Sequence, residues 1–149
     1  MFKPSVFFDA NVIISGCHST IGGSALLLQL ATENKINVVI SKLVLIESEK
    51  NLIKKFSKGD LLKFYQWLGK TKIKVVRRSP TDVEITKYSN FTGLKDAHVL
   101  ASAIDANVEF LITRNRKHFM NQKIKKVKLP LIICTPAEFL QKYLLKQTN

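Results

Sequence analysis

The chain has 149 residues and a mass of 16.9 kDa, so we expect residues 1–149 to form one compact domain, with no room for a second. Apolar residues make up 46% of the sequence and charged residues 23%, which allows a sizeable core and argues against global disorder. Lys and Arg number 24 against 11 Asp and Glu, and the net charge of +13 favours a polyanionic partner, of which nucleic acid is the commonest.

Short apolar runs alternate with helical patterns along the chain. The runs are typical of buried strands, and the helical patterns repeat their apolar residues every three or four positions. In chain order we predict strand 5–8, helix 23–34, strand 37–40, helix 42–56, helix 61–68, strand 72–76, helix 81–91, helix 95–106, strands 109–113 and 131–134, and helix 136–146. This alternation indicates an α/β fold with a parallel sheet.

Several features favour a cytoplasmic protein with no membrane association. No stretch reaches the roughly 18–20 apolar residues that cross a bilayer. Residues 1–9 lack the basic region followed by an apolar region that marks a secretion signal. Cys17 and Cys134 form neither a CxxC pair nor a disulfide framework, as expected of ordinary thiols in a reducing compartment.

The positive charge is concentrated in two stretches. Residues 50–78 hold ten Lys and Arg and one acid, and residues 114–128 hold seven Lys and Arg and no acid, so the rest of the chain carries a net charge of −3. Each stretch alone is compatible with a solvated surface, but two in one small domain favour a track for a polyanion. The residues expected on this nucleic-acid track are Lys54, Lys55, Arg114, Arg116 and Lys117.

Polar side chains follow two of the predicted strands directly. Asp9 comes after the first strand, and Thr113 and Asn115 lie at the end of strand 109–113. Ligands of parallel sheets bind beyond the carboxyl ends of the strands, so we expect these side chains to meet there. Asp9 could instead cap the turn at residues 10–12.

Asp96 lies in the first turn of the predicted helix 95–106. On a helical wheel it falls near the centre of the apolar face and so points inward, although an acid in a first turn can also simply favour the helix dipole. The same wheel places His98 and Asp105 together on the polar face, where we expect both to be solvated. His98 and His118 show no metal-ligand spacing.

Glu47 and Glu49 compete for a place at the site. The apolar stripe of the predicted helix 42–56 includes Glu49 and leaves Glu47 on the far side, which favours Glu49. Residues 43–46 are apolar all round, however, so the start of this helix is buried on every side and the wheel discriminates poorly. From the residues alone, either acid fits.

Carboxylates that meet at a sheet edge in an otherwise basic domain suit a divalent metal. Hard oxygen ligands hold Mg²⁺ or Mn²⁺, and the metal lets phosphate approach carboxylates that would otherwise repel it. The metal also lowers the pKa of a bound water and stabilises charge in the transition state. This combination predicts a metal-dependent nuclease.

Four segments in a fixed order resemble a known family. They are residues 6–16 (VFFDANVIISG), residues 22–23 (GG) leading to 38–41 (VVIS), residues 45–47 (LIE), and residues 95–101 (KDAHVLA) leading to 110–115 (FLITRN). Together they resemble the PIN-domain nucleases, and more narrowly the toxins of toxin–antitoxin pairs, over nearly the whole chain. Gly22-Gly23 is not a phosphate-binding fingerprint, and its match to the family loop assigns it no chemistry.

The resemblance implies a three-layer α/β/α sandwich around a parallel β-sheet and a metal site of Asp9, Glu47 and Asp96. It therefore selects Glu47, which falls six residues after Ser41 as the family acid does. Thr113 and Asn11 match supporting polar positions of the family.

One position departs from the family pattern. Where the family often has a fourth acid, this chain has Asn115, whose amide oxygen can ligate a metal or hold a water but brings no charge. We expect at least one Mg²⁺ or Mn²⁺ at Asp9 and Asp96, with Glu47 holding a water or sharing the ion. The candidate catalytic set is thus Asp9, Glu47, Asp96 and Asn115.

The leading hypothesis is a metal-dependent endoribonuclease that, by resemblance, is a toxin restrained by a small antitoxin protein and forms a homodimer. A second hypothesis is a PIN-fold RNA-binding module with weak or no catalysis, in which Asn115 marks a degraded site. A third, a phosphoacceptor receiver domain, is disfavoured because Thr135-Pro136 follows the last strand where that fold requires a Lys.

Overall fold

The computed structural model describes residues 3–148. Its elements follow one another in the order β1 (Ser5–Phe8), α1 (Ala10–His18), α2 (Gly23–Thr32), β2 (Asn37–Ser41), α3 (Lys42–Lys55), α4 (Lys58–Lys70), β3 (Ile73–Val76), α5 (Asp82–Thr92), α6 (Ala97–Asp105), β4 (Phe110–Ile112), α7 (Arg116–Phe119), α8 (Gln122–Lys126), β5 (Ile132–Cys134) and α9 (Pro136–Thr148).

The five strands form one parallel sheet in the order β3-β2-β1-β4-β5. The central strand β1 is buried on both faces, which explains its continuous apolar run, and its Phe7 is in register with Val39 on β2 and Leu111 on β4. The chain runs from β1 to one edge of the sheet and then crosses to β4 on the other side. The topological switch point therefore lies between β1 and β4, where open α/β sheets bind their ligands.

The helices form two groups around this sheet. α1 packs against α2, α3 and α4, and α2 also packs against α9, whereas α5 packs against α6, α7 and α8. Aromatic contacts tie strands to the first group: the Phe8 ring stacks on Trp67 with centroids 6.4 Å apart, and Phe110 meets Phe139 edge-on at 5.2 Å. The predicted α/β/α sandwich around a parallel sheet is confirmed.

Three helices were not predicted from the sequence. Asp9 alone separates β1 from α1, so the buried Ala10, Val12 and Ile13 of the helix follow closely on the apolar run of the strand. α7 and α8 have only four and five residues, too few to show a helical period. All the other elements lie within a few residues of their predicted bounds.

The two cysteines agree with the expectation of unpaired thiols. Cys17 and Cys134 are both free and buried. Within residues 3–148 no single helix is long and apolar enough to cross a membrane. In the same range, α1 and α2 together have the length and composition of a span, but a bend of 96° separates the two helices.

Candidate functional site

Asp9 lies at the switch point and joins three elements. It caps the N-terminus of α1, with its Oδ1 accepting a hydrogen bond of 2.8 Å from the backbone N–H of Ala10. Its Oδ2 accepts one of 2.8 Å from the hydroxyl of Thr113, and its backbone N–H donates to the carbonyl of Ile112 at 3.0 Å. The capping role and the place at the sheet edge, considered above as alternatives, are thus both filled by Asp9.

The environment of Asp9 disfavours its charge. The residue is 5% exposed, and burial raises the pKa of its carboxyl from 3.8 to about 6 against the hydrogen bonds of Thr113 and Ala10, which lower it. The nearby carboxylates of Glu47 and Asp96 raise the pKa further. No Lys, Arg or His of the described chain forms an ion pair with Asp9, so its negative charge lacks a cationic partner.

Asn11 and Thr113 hold the Asp9 carboxylate in place. Thr113 is fully buried at the end of β4, and the Asn11 amide group donates to Asp9 Oδ2 at 3.2 Å and to the Thr113 hydroxyl at 3.4 Å. The amide oxygen of Asn11 accepts the backbone N–H of Arg114 at 3.0 Å. The carboxyl ends of β1 and β4 are therefore joined through side chains.

Asp96 precedes α6, which begins at Ala97 and not at residue 95 as predicted. Its Oδ2 lies 2.6 Å from Nδ1 of His118 and accepts the Asn115 side-chain N–H at 3.3 Å. Asn115 caps α7, accepting the backbone N–H of His118 at 3.3 Å. This short helix therefore brings His118 and Asn115 to the same carboxylate oxygen.

Of the two competing acids, the structure places Glu47 at the site. α3 begins at the end of β2, where the hydroxyl of Ser41 accepts the backbone N–H of Val44 at 3.1 Å, and this orientation brings Glu47 to the cleft next to Asp9 and Asp96. Glu49 instead accepts a hydrogen bond of 2.7 Å from the phenol of Tyr65. The helical wheel, which favoured Glu49, was misleading here.

These groups line one cleft of about 510 Å³, which we call the acidic cleft. Its polar and charged lining residues are Asp9, Asn11, Ser15, His18, Glu47, Asn51, Lys55, Lys95, Asp96, Arg114, Asn115 and His118. Three carboxylates thus share a cleft with three cationic side chains. All four candidate catalytic residues and Asn11 line it, and Thr113 lies buried behind Asp9.

The expected nucleic-acid track is only partly assembled around this cleft. Lys55 and Arg114 line it, Arg116 lines a neighbouring cleft, and Lys54 and Lys117 are exposed and line neither. Lys95, which was not singled out in the sequence, joins the cationic lining.

Two expectations for the polar face of α6 were wrong or incomplete. His98 is half-buried rather than solvated; its Nδ1 makes no hydrogen bond within the described residues, and burial lowers its pKa. Asp105 is exposed but paired, with Arg78 at 3.1 Å. The wheel could not show that His98 lies near Glu47 and Asp96, whose negative charges raise its pKa against the effect of burial.

Histidines at the cleft were missed by the sequence reasoning. His118 contacts Asp96, and His18 lines the cleft while its Nδ1 lies 2.7 Å from Oδ2 of Asp60. One sequence signal for His118 was available. It lies three residues after Asn115, and an N-cap residue accepts a hydrogen bond from the backbone amide three positions later.

The donor set fits a hydrated divalent cation. Three carboxylates line the cleft, and Asp9 is buried without a cationic partner. Within the described residues no three His, Cys, Asp or Glu side chains converge closely enough to form a complete metal site. This arrangement suits Mg²⁺ or Mn²⁺ better than a tightly caged ion, because Mg²⁺ takes one or two carboxylates and keeps several waters.

Comparisons with known proteins agree with this fold. A family model described as PIN domain matches residues 5–117. Among solved structures, VapBC2 from Rickettsia felis, bound to a DNA fragment from their promoter, is similar with a TM-score of 0.58 and 20% identity over 88% of this chain and 98% of that chain. PAE2754 from Pyrobaculum aerophilum is similar with a TM-score of 0.59 and 15% identity over 93% and 94% of the two chains.

No curated protein matches the sequence. The structural similarities, at 20% identity or less, establish the fold alone. The family model covers most of the chain and includes Asp9, Glu47, Asp96 and Asn115. The resemblance found in the sequence is confirmed, and the chain belongs to the PIN domain family, whose members are generally nucleases.

Proposed function

We propose that the protein is a metal-dependent endoribonuclease that hydrolyses RNA phosphodiester bonds, and that it is the toxin of a cytoplasmic toxin–antitoxin pair. The observation that carries this proposal is the meeting of Asp9, Glu47 and Asp96 in one cleft at the switch point of the sheet. The whole chain, with the carboxylates of the cleft included, has a net charge of +13, which suits a nucleic-acid substrate.

Asp9 and Asp96 would hold Mg²⁺ or Mn²⁺, with Glu47 holding a water or sharing the ion. When bound, such an ion lowers the pKa of a coordinated water and neutralises charge that develops on the phosphodiester. The buried Asp9 carboxylate supports this assignment because a cation would supply the charge partner that the protein itself does not.

The remaining residues of the cleft orient these groups and attract the substrate. Thr113 and Asn11 restrain Asp9 through hydrogen bonds to Oδ2, and His118 and Asn115 restrain Asp96 in the same way. Preorganised carboxylates lose less freedom when they bind a ligand. The cationic lining of the cleft, from Lys55, Lys95 and Arg114, draws RNA phosphates toward them.

Two partners accompany the proposed function. The motifs shared with the toxins of toxin–antitoxin pairs, and the fold shared with VapBC2, support an antitoxin protein that covers the acidic cleft. They also support a homodimer. Light scattering of the purified chain tests the second point, with a mass near twice 16.9 kDa expected and a mass near 16.9 kDa contradicting it.

The proposal is tested by incubating purified protein with single-stranded and structured RNA in EDTA, Mg²⁺ or Mn²⁺. We expect products only with a metal ion, and none from Asp9→Asn or Asp96→Asn. Circular dichroism establishes that both variants are folded. Cleavage retained by both folded variants, or unaffected by EDTA, contradicts the proposal.

A second candidate function is an RNA-binding module without nuclease activity. The observation that favours it is Asn115, which contacts Asp96 but lacks the charge of the family acid. In that case the protein binds RNA with a strong dependence on salt and leaves it intact at every metal concentration.

A further inference from the structure

A second cleft, of about 630 Å³, adjoins the acidic cleft and shares Ser15, His18 and Arg114 with it. We call it the glycine cleft because Gly22 and Gly23 form one of its walls. Arg116 and Thr135 lie on other parts of its lining. Nothing in the proposed metal chemistry uses this cleft.

Two helix N-termini meet at the glycine cleft. α2 begins at Gly23 and α9 at Pro136, and a Cβ atom built on Gly23 would lie 3.2 Å from Cβ of Pro136 and 3.7 Å from the backbone nitrogen of Ala137. The close approach of the two helices explains the glycine at position 23. The positive ends of both helix dipoles therefore face the same space.

The N-terminus of α2 has unused hydrogen-bond donors. Gly22 occupies the N-cap position with a φ of 101° and has no side chain to cap the helix. The backbone amides of Gly23, Ser24 and Ala25 donate to no acceptor within residues 3–148. α9 differs, because Thr135 and Glu138 cap each other's backbone amides at 3.2 and 2.9 Å.

Ser24 provides an independent sign of a ligand. It lines the glycine cleft and is only 6% exposed, yet its hydroxyl makes no hydrogen bond with the part of the chain that the structure describes. Within the described residues only His98 Nδ1 and Ser102 Oγ are fully buried without a partner, so the Ser24 oxygen is accessible from the cleft although the residue is nine-tenths buried. An acceptor bound in the cleft would supply one.

The charged side chains at the cleft are also largely free. The Arg114 guanidinium forms no hydrogen bond or ion pair with the described residues, and Arg116 reaches only Glu138, at 3.9 Å, and the sulfur of Met120. Two acids contact residues of the lining: Glu138, which also accepts the Thr135 amide, and Asp60, whose Oδ2 lies 2.7 Å from Nδ1 of His18. The lining itself contains the two guanidinium groups and no acid. The balance of charge at the cleft is positive.

We propose that the glycine cleft binds a backbone phosphate of single-stranded RNA, adjacent to the phosphodiester held in the acidic cleft. Helix-terminal amides, a hydroxyl donor and two guanidinium groups are the chemistry that recognises phosphate. Arg114, which lines both clefts, sits where neighbouring phosphates of one strand would meet. The RNA assignment rests on the proposed function, whereas the binding of phosphate does not.

The first test is a titration of metal-free protein with inorganic phosphate, in which the NMR chemical shifts of the backbone amides report binding. We expect the largest shifts at Gly23, Ser24 and Ala25, with affinity at least severalfold weaker in Arg116→Gln. Ser24→Asp, which places a carboxylate in the cleft but suits a helix N-terminus, should abolish binding. The matched control is Lys87→Gln, which removes one positive charge on α5 away from both clefts and should leave affinity unchanged.

Shifts confined to other amides overturn the proposal, as does an equal loss of affinity in Arg116→Gln and Lys87→Gln. Thermal unfolding of each variant establishes that it is folded. If Ser24→Asp is not folded, the comparison between Arg116→Gln and Lys87→Gln decides the outcome.

The second test measures the affinity of metal-free protein for a single-stranded RNA as salt is varied. One lost phosphate contact lowers the slope of log affinity against log salt by about 0.7, so we expect this change in Arg116→Gln and none in Lys87→Gln. Unchanged slopes in both variants overturn the RNA assignment even if inorganic phosphate binds. This binding test uses no metal and is therefore independent of the cleavage assay. If the slope is unchanged in Arg116→Gln but the protein cleaves RNA with metal, the phosphate site alone is rejected. If the slope changes as expected but no RNA is cleaved with any metal, the nuclease function alone is rejected.

Discussion

At the scale of single residues, Asp9 serves the fold and the site with one side chain. Its carboxylate caps α1 and accepts the hydroxyl of Thr113, but it does so in a place where burial raises its pKa to about 6. The charge that a metal site requires at neutral pH is therefore unfavourable for the protein without metal. Asp9 should limit the stability of the metal-free fold.

The first prediction is that Asp9→Asn stabilises the metal-free protein at pH 8. The carboxyl titrates near 3.8 when exposed and about 6 when folded, so the folded state binds more protons between these values. Stability consequently rises as pH falls through 6 toward 4, and the full penalty, on the order of 3 kcal/mol, applies above pH 6.

Thermal unfolding in EDTA checks this prediction. We expect Asp9→Asn to raise Tm by roughly 2–8 °C at pH 8 and by much less at pH 4. Asp82→Asn, which removes an exposed acid from the first turn of α5, serves as the control and should change stability little at either pH. A lower Tm for Asp9→Asn at pH 8 would show that the cap matters more than the buried charge.

Asn115 allows a second prediction at this scale. Asn115→Asp restores a carboxylate beside Oδ2 of Asp96, now 3.3 Å from the Asn115 amide nitrogen. We expect tighter Mn²⁺ binding and faster RNA cleavage, together with lower stability in EDTA because like charges are brought together. Calorimetric titration with Mn²⁺ measures the affinity, and an unchanged affinity would show that the missing acid does not limit the site.

At the scale of elements, the sequence predicted the sheet and most helices because each strand is a short apolar run and each long helix has a clear apolar period. Asp9 could be found because it directly follows a strand, and Asp96 because it falls on the apolar face in the first turn of the predicted helix 95–106. α1 was missed because only Asp9 separates it from β1, so no turn or linker marks where the helix begins. His118 was missed because it lies on a helix of four residues, where periodicity carries no signal.

The choice between Glu47 and Glu49 shows the limit of pattern reasoning. The buried residues of α3 are Val44, Ser48 and Leu52, which form a single stripe. Leu43, Ile46 and Ile53 are exposed, so the expectation that the start of this helix is buried on every side was wrong, and the apolar residues do not mark the buried face. The resemblance selected Glu47. Glu49 is held away from the cleft by its hydrogen bond with Tyr65. Tertiary packing decided what the helical wheel could not.

The N-cap of α3 gives a prediction at this scale. Ser41→Ala removes the acceptor for the Val44 amide and should cost about 1 kcal/mol, while loosening the helix that carries Glu47. We therefore expect a lower Tm and weaker Mn²⁺ binding. Thr81→Ala removes a comparable cap from α5, which carries no residue of the acidic cleft, and should lower Tm with no change in Mn²⁺ affinity. If Ser41→Ala and Thr81→Ala changed Mn²⁺ affinity equally, Glu47 would not contribute to the metal site.

At the scale of the whole molecule, the net charge of +13 is the sum of two sets of residues that serve different functions. The acids gathered at the switch point form the floor of the acidic cleft, and the basic residues around it form its rim. Because the rim acts through long-range attraction and the floor through direct ligation, mutations of the two should have separable effects.

Neighbouring lysines on α3 test this separation. Lys55 lines the acidic cleft and Lys54 does not, although both are exposed. We expect Lys55→Gln to weaken RNA binding by about 3- to 10-fold, Lys54→Gln to weaken it less, and neither to change Mn²⁺ affinity. Fluorescence anisotropy with labelled RNA in EDTA provides the measurement, and a larger loss in Lys54→Gln would place the RNA elsewhere.

The central claim is that Asp9, Glu47 and Asp96 act as one metal-dependent site for RNA cleavage. The most direct measurement is the single-turnover rate of RNA cleavage as Mn²⁺ is varied, in wild type, Glu47→Gln and Glu49→Gln. The account predicts no cleavage in EDTA, a loss on the order of 10- to 100-fold in Glu47→Gln, and a rate close to wild type in Glu49→Gln. Cleavage without metal, or equal rates in the two glutamine variants, would contradict it.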